Sequence, residues 1–567
     1  MSRQSARPTR FLRQSMLATS ALVCIFAALS SAQAQTSKDS EKVTDAKTDG
    51  IPAHTGAAPT VQLKPLHVRG QAAADIIDSM KVDPDADYSA VGKPRVMTTT
   101  TTLKTLQSRM IDSISDYARR VDAGVNYNNN NLSINMRGLD QNRILTTIDG
   151  IRTIWANDGA RGVSGGVSSY DFNSLGSIDI VKNANSGFFG TGALGGVVSL
   201  KTLDPEDLLT GNKAYGGLTK LTYGVSSESG YLNQALAGRY HNTMMLVQGR
   251  YQTCSQTGHS GGTGGVGSTR SDKDPASYTQ GNFLGKIHQY VEGGHRFGLT
   301  GEVFDRNYNE NTLSSISSTY SRYHTLEESK RTRVSGSYDY KSEKPTAFIS
   351  EAHLIAYWQK VNSITDTAAN RLTSPIGEYD RDSNLAVQSY GTTGSITSNV
   401  FTGPFHHVIT LGGEAYITDT SQYAAGLDNC TAQVYACSFL HVNQSDMPDV
   451  HGTDLGAIVQ DRIGFGEMEW LHVTPGFRFN HYRRSPQDTP SYTKNAAYEG
   501  TPNGASGSHY SPKVLVEARV LKNLTLYGQY SQAFRAPSAT EMYLTYGGTG
   551  SYVSIGNQNR KPETSRG

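Results

Sequence analysis

The stretch "YGQYSQAFRAPSATEMYLTYGGTGSYVSIGNQNRKPETSRG", Tyr527 to Gly567, decides the fold. With the residues just before it, it begins as "NLTLYGQYSQAF", in which Leu524, Leu526, Gly528, Tyr530 and Gln532 alternate with Thr525, Tyr527, Gln529 and Ser531. Period two over about ten residues is the signature of a strand in a transmembrane barrel, apolar on one face only. The alternation breaks at Arg535-Ala536-Pro537, runs into a Tyr- and Gly-rich loop, and the chain stops with no closing strand evident.

Working back from there, the same alternation recurs to residue 215, and about thirteen candidate strands lie between 215 and 535. After the first, the gaps between them alternate. Short ones such as "HNT", "EGGH", "TGPF" and "KN" are followed by long ones near 254 to 277, 306 to 328, 361 to 384, 419 to 450 and 483 to 508. Short turns on one rim and long loops on the other are what an up-and-down barrel produces. The composition agrees: 58 Gly and 31 Tyr stand against 3 Trp, and only 37% of residues are hydrophobic, because barrel strands never form apolar runs. An odd number of strands with two open edges leaves backbone unpaired in lipid, so the expectation is a fragment of a larger barrel.

The other end of the chain sets the compartment. Arg3, Arg7, Arg10 and Arg13 precede the apolar run "MLATSALVCIFAALS" and the small-residue site "SAQAQ", a signal peptide over residues 1–34. Residues 35–84 are polar and aperiodic and read as a flexible arm, with one alternating island, "VQLKPLHVRG", from Val61 to Gly70. Such an island can add as a strand to a partner's sheet. Residues 85–205 read as a compact mixed domain. Leu103, Leu106, Met110, Ile114 and Tyr117 fit one helix face, and strands are expected at Leu132 to Gly138, across the Asp149-Gly150 turn, at Ser177 to Asn183 and at Gly195 to Thr202. The pattern Gly190-x-Gly192-x-x-Gly195 lacks the strand, helix and acidic residue of a nucleotide site, and a net charge of +2 argues against a nucleic-acid partner. Cys430 and Cys437 are spaced to close a small disulfide loop in an oxidising compartment.

Taken together, "NMRGLDQNRILTTIDGIR" (Asn135 to Arg152) and "SYDFNSLGSIDIVKNANSGFFGTGALGGVVSLKTLDPEDLL" (Ser169 to Leu209) resemble the plug of TonB-dependent outer-membrane receptors. The narrower resemblance is to their heme/hemoglobin branch, through "FRAP" at Phe534 to Pro537 and "NQNRKPETS" at Asn557 to Ser565. The resemblance implies a plug, carrying Arg137, Gly138, Asp149, Gly150, Gly192, Gly195 and Gly196, inside a barrel of about 22 strands. It implies that Leu66, His67 and Val68 contact TonB, that the chain sits in the outer membrane in contact with its lipid, and that heme, free or on a carrier protein, is the transported ligand.

Many heme receptors hold iron with one plug His and one loop His. Here no His occurs between Val68 and Tyr240 or between Ala533 and Gly567. Tyrosine offers a hard oxygen donor to ferric heme instead, and the candidates are Tyr127, Tyr170, Tyr543, Tyr546 and Tyr552. His259 is a loop candidate, and Arg535 is placed to hold a propionate or a loop carboxylate. No nucleophile elbow or HExxH pattern points to an enzyme. The other readings are a ferric-siderophore or other nutrient receptor, and a surface binding protein without transport.

Overall fold

Thirteen long antiparallel strands and a short fourteenth form one wall, and a small mixed domain is packed against its inner face. The computed structural model describes residues 98–567 apart from 129–131, 167–168, 185–189, 212, 226–227, 257–260, 345–346, 428–441, 467–468, 496, 522 and 548–552. The signal peptide, the arm with Leu66, His67 and Val68, His259, Cys430, Cys437 and Tyr552 lie outside the described residues.

The small domain holds β1 (Thr98–Thr102), α1 (Leu103–Ser108), α2 (Ile114–Arg120), β2 (Asn126–Asn128), β3 (Ser133–Asn135), β4 (Ile144–Ile148), β5 (Ile151–Arg152), β6 (Ala156–Asp158), β7 (Val163–Gly165), β8 (Leu175–Val181), β9 (Gly196–Thr202) and α3 (Pro205–Leu208). Its central sheet runs β1-β8-β9-β4-β5, antiparallel except between β9 and β4. Every residue of β4 is buried, because helices cover one face of the sheet and the wall covers the other. The core gathers Leu106, Ile114, Tyr117, Ile134, Met136, Ile178, Ile180 and Val198.

Two local expectations change. The single helix splits into α1 and α2, and Met110 sits between them with φ +50° and 68% exposed. The break follows from the polar residues beside it. Asp112 turns outward to Lys220 and Tyr231 of the wall, and the Ser113 hydroxyl caps α2 by accepting from Asp116 N at 3.1 Å. The strand expected from Leu132 to Gly138 shrinks to β3, because Arg137 and Gly138 both take positive φ in an exposed turn.

The wall comprises β10 (Tyr215–Gly224), β11 (Ser229–Tyr240), β12 (Thr243–Ser255), β13 (Ala276–Val291), β14 (His295–Asn311), β15 (Tyr320–Lys341), β16 (Glu351–Arg371), β17 (Gly377–Thr402), β18 (Phe405–Leu427), β19 (Val450–Phe465), β20 (Leu471–Pro486), β21 (Ala505–Leu521) and β22 (Leu524–Arg535). Each of the thirteen coincides with a segment read from alternation, most extending further toward the long loops. Along β13, Phe283 and Ile287 point outward and exposed, whereas Asn282, Lys286 and His288 point inward and buried. No helix among the described residues is long and apolar enough to cross a membrane.

The terminal stretch departs from expectation. After β22 come α4 (Ala539–Tyr543), a small hairpin of β23 (Thr545–Gly547) and β24 (Val553–Ile555), and then β25 (Glu563–Arg566), which pairs antiparallel with β22 as a fourteenth strand. The chain therefore does not stop inside the loop. Alternation could not show a strand of four residues, too short to express a period. The sheet runs in sequence order from β10 to β22 and then β25.

Candidate functional site

At the long-loop end, an open cavity of about 180 Å³ lies between the small domain and the inner face of β16 to β20. The sequence brings its walls together in three ways. From the small domain come Arg152, Trp155 and Thr191; from the wall, Tyr357, Tyr416, Asp454 and Arg484; and from the "FRAP" segment, Arg535 to Pro537. Three guanidinium groups and one carboxylate among the lining residues favour an anionic ligand, and the aromatic rings favour one with a flat apolar body.

Each guanidinium is positioned by a carboxylate behind it. Arg484 makes a two-pronged pair with Asp454 at 2.8 and 3.1 Å. Arg152 lies 3.6 Å from Glu414, hydrogen-bonds to the Thr191 carbonyl, and sits over the Tyr416 ring with its Cζ 5.6 Å from the centroid. Gly391 on β17 makes room for these rings, since a Cβ there would stand 2.5 Å from the Tyr357 hydroxyl and 2.7 Å from Tyr416 Cβ. Burial opposes the charge on Arg152, yet Tyr416 and Glu414 hold its pKa above the ordinary value.

Arg535, expected to hold a propionate or a loop carboxylate, is almost fully committed to carboxylates of the chain itself. It grips Glu541 through two hydrogen bonds of 2.8 and 2.9 Å and reaches Glu563 of the "KPET" motif at 3.0 Å. Glu563 in turn takes two hydrogen bonds, 2.8 and 2.7 Å, from Arg143 of the small domain. Both motifs and the plug-like domain thus meet in one Arg–Glu network. Glu541 is held further by the Ser538 amide at 2.8 Å in a capping box at the start of α4. Burial would raise the Glu541 pKa, but the Arg535 hydrogen bonds keep it below the ordinary carboxylate value.

The glycine-rich motif serves this junction. Gly192, at φ +93°, donates its amide to the Phe534 carbonyl at 2.7 Å, and the Gly195 amide donates to Arg143 O at 3.0 Å. Gly196 lies where β8 and β9 meet, its Cβ position only 2.6 Å from Val181 O. Asp149 and Gly150 form the tight turn between β4 and β5, both with positive φ. The Asp149 carboxylate bonds Thr202 and, at 2.7 Å, Arg333 of the wall. Burial opposes its ionisation, but Lys286 and Arg333 pull its pKa far below the usual range.

None of the described tyrosine candidates lines the cavity. Tyr170 is buried with its ring 5.5 Å from Phe172, and burial raises its hydroxyl pKa. Tyr127 packs part-buried against the small-domain core. Tyr543 is buried with Met447, Val450 and Met542, and Tyr546 lies under the Arg161 guanidinium, 4.8 Å from its ring centroid. The phenols that line the cavity belong to Tyr357 and Tyr416. Both fall in strand segments legible from alternation, so the inward face of those strands is the signal that points to them.

Comparison with known proteins adds the family. The profile described as "TonB-dependent Receptor Plug Domain" matches residues 93–197, and "TonB dependent receptor-like, beta-barrel" matches 267–567. Hemoglobin-binding protein A of Haemophilus influenzae is 29% identical over 44% of this chain and 27% of its own length. Lactoferrin-binding protein A of Neisseria meningitidis is 30% identical over 24% of this chain and 15% of its own. The chain thus aligns with about a quarter or less of these curated relatives. Among solved structures, the Serratia marcescens hemophore receptor HasR, in complex with its hemophore HasA and heme, superposes with a TM-score of 0.64 at 16% identity. That match covers 85% of this chain and 69% of HasR, and it speaks for the fold alone. With a plug packed inside a wall of inward-polar, outward-apolar strands and both profiles matched in order, this chain belongs to the TonB-dependent receptor family.

Proposed function

We propose that this receptor acts in the outer membrane, where it captures heme, free or from a carrier protein, and passes it inward when TonB engages Leu66, His67 and Val68. The observation that carries the reading is the cavity at the long-loop end. Arg152 and Arg484 match the two carboxylates of a porphyrin, and Trp155, Tyr357 and Tyr416 match its flat apolar face. The similarity to a hemoglobin-binding protein supports the same ligand. Ferric iron accepts phenolate oxygen, so Tyr357 and Tyr416 join Tyr127, Tyr170, Tyr543, Tyr546 and Tyr552 as donors to be tested, with His259. The outward-facing Phe, Leu and Val side chains of the strands suit contact with lipid.

Titrating hemin into the purified protein tests this directly. The expected result is a saturable Soret shift, and a Tyr357→Phe, Tyr416→Phe double variant is expected to weaken binding about tenfold. The absence of any shift, together with fluorescence quenching by a ferric chelate, would establish instead the second reading, a ferric-chelate receptor. That reading draws on a specific feature, a described cavity rich in Arg with no His among its lining residues.

A further inference from the structure

The plug is fastened to most of the wall by side-chain bonds. Arg250 of β12 pairs with Asp171, Lys286 of β13 meets Asp204 at 2.6 Å, and Arg333 of β15 meets Asp149. Gln359 of β16 donates to Arg152 O at 2.8 Å, and Ser531 of β22 donates to Ala184 O at 2.5 Å. Among the described residues, no hydrogen bond or ion pair joins a side chain of β20 or β21 to the plug, which is also true of β14, β17 and β19. The inner face of the same two strands carries buried polar atoms with no partner: Thr474 Oγ1, Asn480 Nδ2, His509 Nε2, Ser511 Oγ and Lys513 Nζ. Lys513 is 4% exposed, and Glu517, the carboxylate that acts on it, is already paired with Arg462 at 3.8 Å. A buried ammonium without an anion is costly, and a buried hydroxyl or amide without a partner adds to the cost.

Resting on the function proposed above, we infer that the inner face of β20 and β21 is a second, deeper anion-binding subsite. Lys513 is its cation and Ser511 is its hydroxyl donor, and it receives a carboxylate of the ligand as the ligand leaves the outer cavity. The strands suit this task because the plug can withdraw from them without breaking a side-chain bond. Ser511 and Lys513 share one face of β21, two residues apart, so a single carboxylate can be passed between them. The outer cavity includes no residue of this set, so capture and passage are separable.

The test compares wild type, Lys513→Met and Lys513→Arg in the full-length protein. Citrate, a small polycarboxylate, is expected to raise the melting temperature of wild type and Lys513→Arg saturably above a sodium chloride control of equal ionic strength. Lys513→Met should start from a higher melting temperature, having lost an unpaired buried charge, and should show a smaller citrate response, what remains being that of the outer cavity. In cells, Lys513→Met should bind hemin at the outer cavity within about twofold of wild type yet import it about tenfold more slowly. It should import hemin dimethyl ester, which lacks the carboxylates, as wild type does. An equal citrate response in all three proteins would overturn the subsite, as would equal loss of hemin and ester import. A citrate response larger in proteins with a cation at 513 than in Lys513→Met, in a wild type that shows no Soret shift, would uphold the subsite and reject heme as the ligand.

Discussion

Arg535 and Asp158 illustrate how single side chains hold the plug in place. Arg535 is 4% exposed at its side chain and bridges Glu541 and Glu563, so its removal takes from Glu541 its two-pronged partner and leaves Glu563 to Arg143. Arg535→Ala is expected to destabilise the plug–wall junction by about 3 kcal/mol, measured by urea unfolding in micelles with Trp155 fluorescence as the probe. Asp158 behaves in the opposite sense. Burial and the neighbouring Asp446 push its carboxyl up from 3.8 to about 6, against the pull of Arg161. The folded protein therefore holds this proton more tightly than the unfolded chain. The resulting stability is present below the ordinary pKa and is lost as pH rises through about 6. Asp158→Asn is expected to stabilise the fold by about 2 kcal/mol near pH 8 and to change little near pH 4, which thermal melts at the two pH values will show. Asp446, whose charge adds to this shift, is itself buried against Arg161 at 2.7 Å.

At the scale of elements, α4 converts the "FRAP" motif from sequence pattern into structure. Five residues make a helix too short to hold itself, so its caps and its packing on Met447 and Val450 decide whether it forms. Ser538→Ala removes the hydroxyl that accepts from Glu541 N at 3.3 Å and is expected to cost about 1 kcal/mol, read as faster amide exchange over 539–543. The long strands were legible because each repeats its inside–outside choice many times. The terminal strand β25 was not, because four residues carry no period and its partner β22 is identified only by folding. The division of the first helix was equally hidden: Met110 continues the apolar spacing, but Asp112 finds its partners on β10 and β11, more than a hundred residues later.

Across the whole molecule, the division of labour between plug, wall and arm sets a clear expectation. Deleting Val61 to Gly70 should leave hemin binding at the cavity unchanged while abolishing uptake, as cell-surface binding and iron-dependent growth measured on the same strain will show. Retained uptake would instead dissociate transport from this arm. What the sequence alone determined was the class of object: alternation, turn rhythm and composition require one-sided strands, and the stretches Asn135 to Arg152 and Ser169 to Leu209 carry the resemblance to a plug. These are local properties, each written within about ten residues. Only the tertiary structure decided which side chains meet. Arg143 and Glu563 are 420 positions apart, Arg161 and Asp446 are 285 apart, and Tyr357 and Tyr416 become cavity walls only when β16 and β18 curve around the plug. Charge pairing and cavity formation depend on distance in space, which the period of a strand does not encode, so the tyrosines nearest the motifs in sequence are not those nearest the cavity.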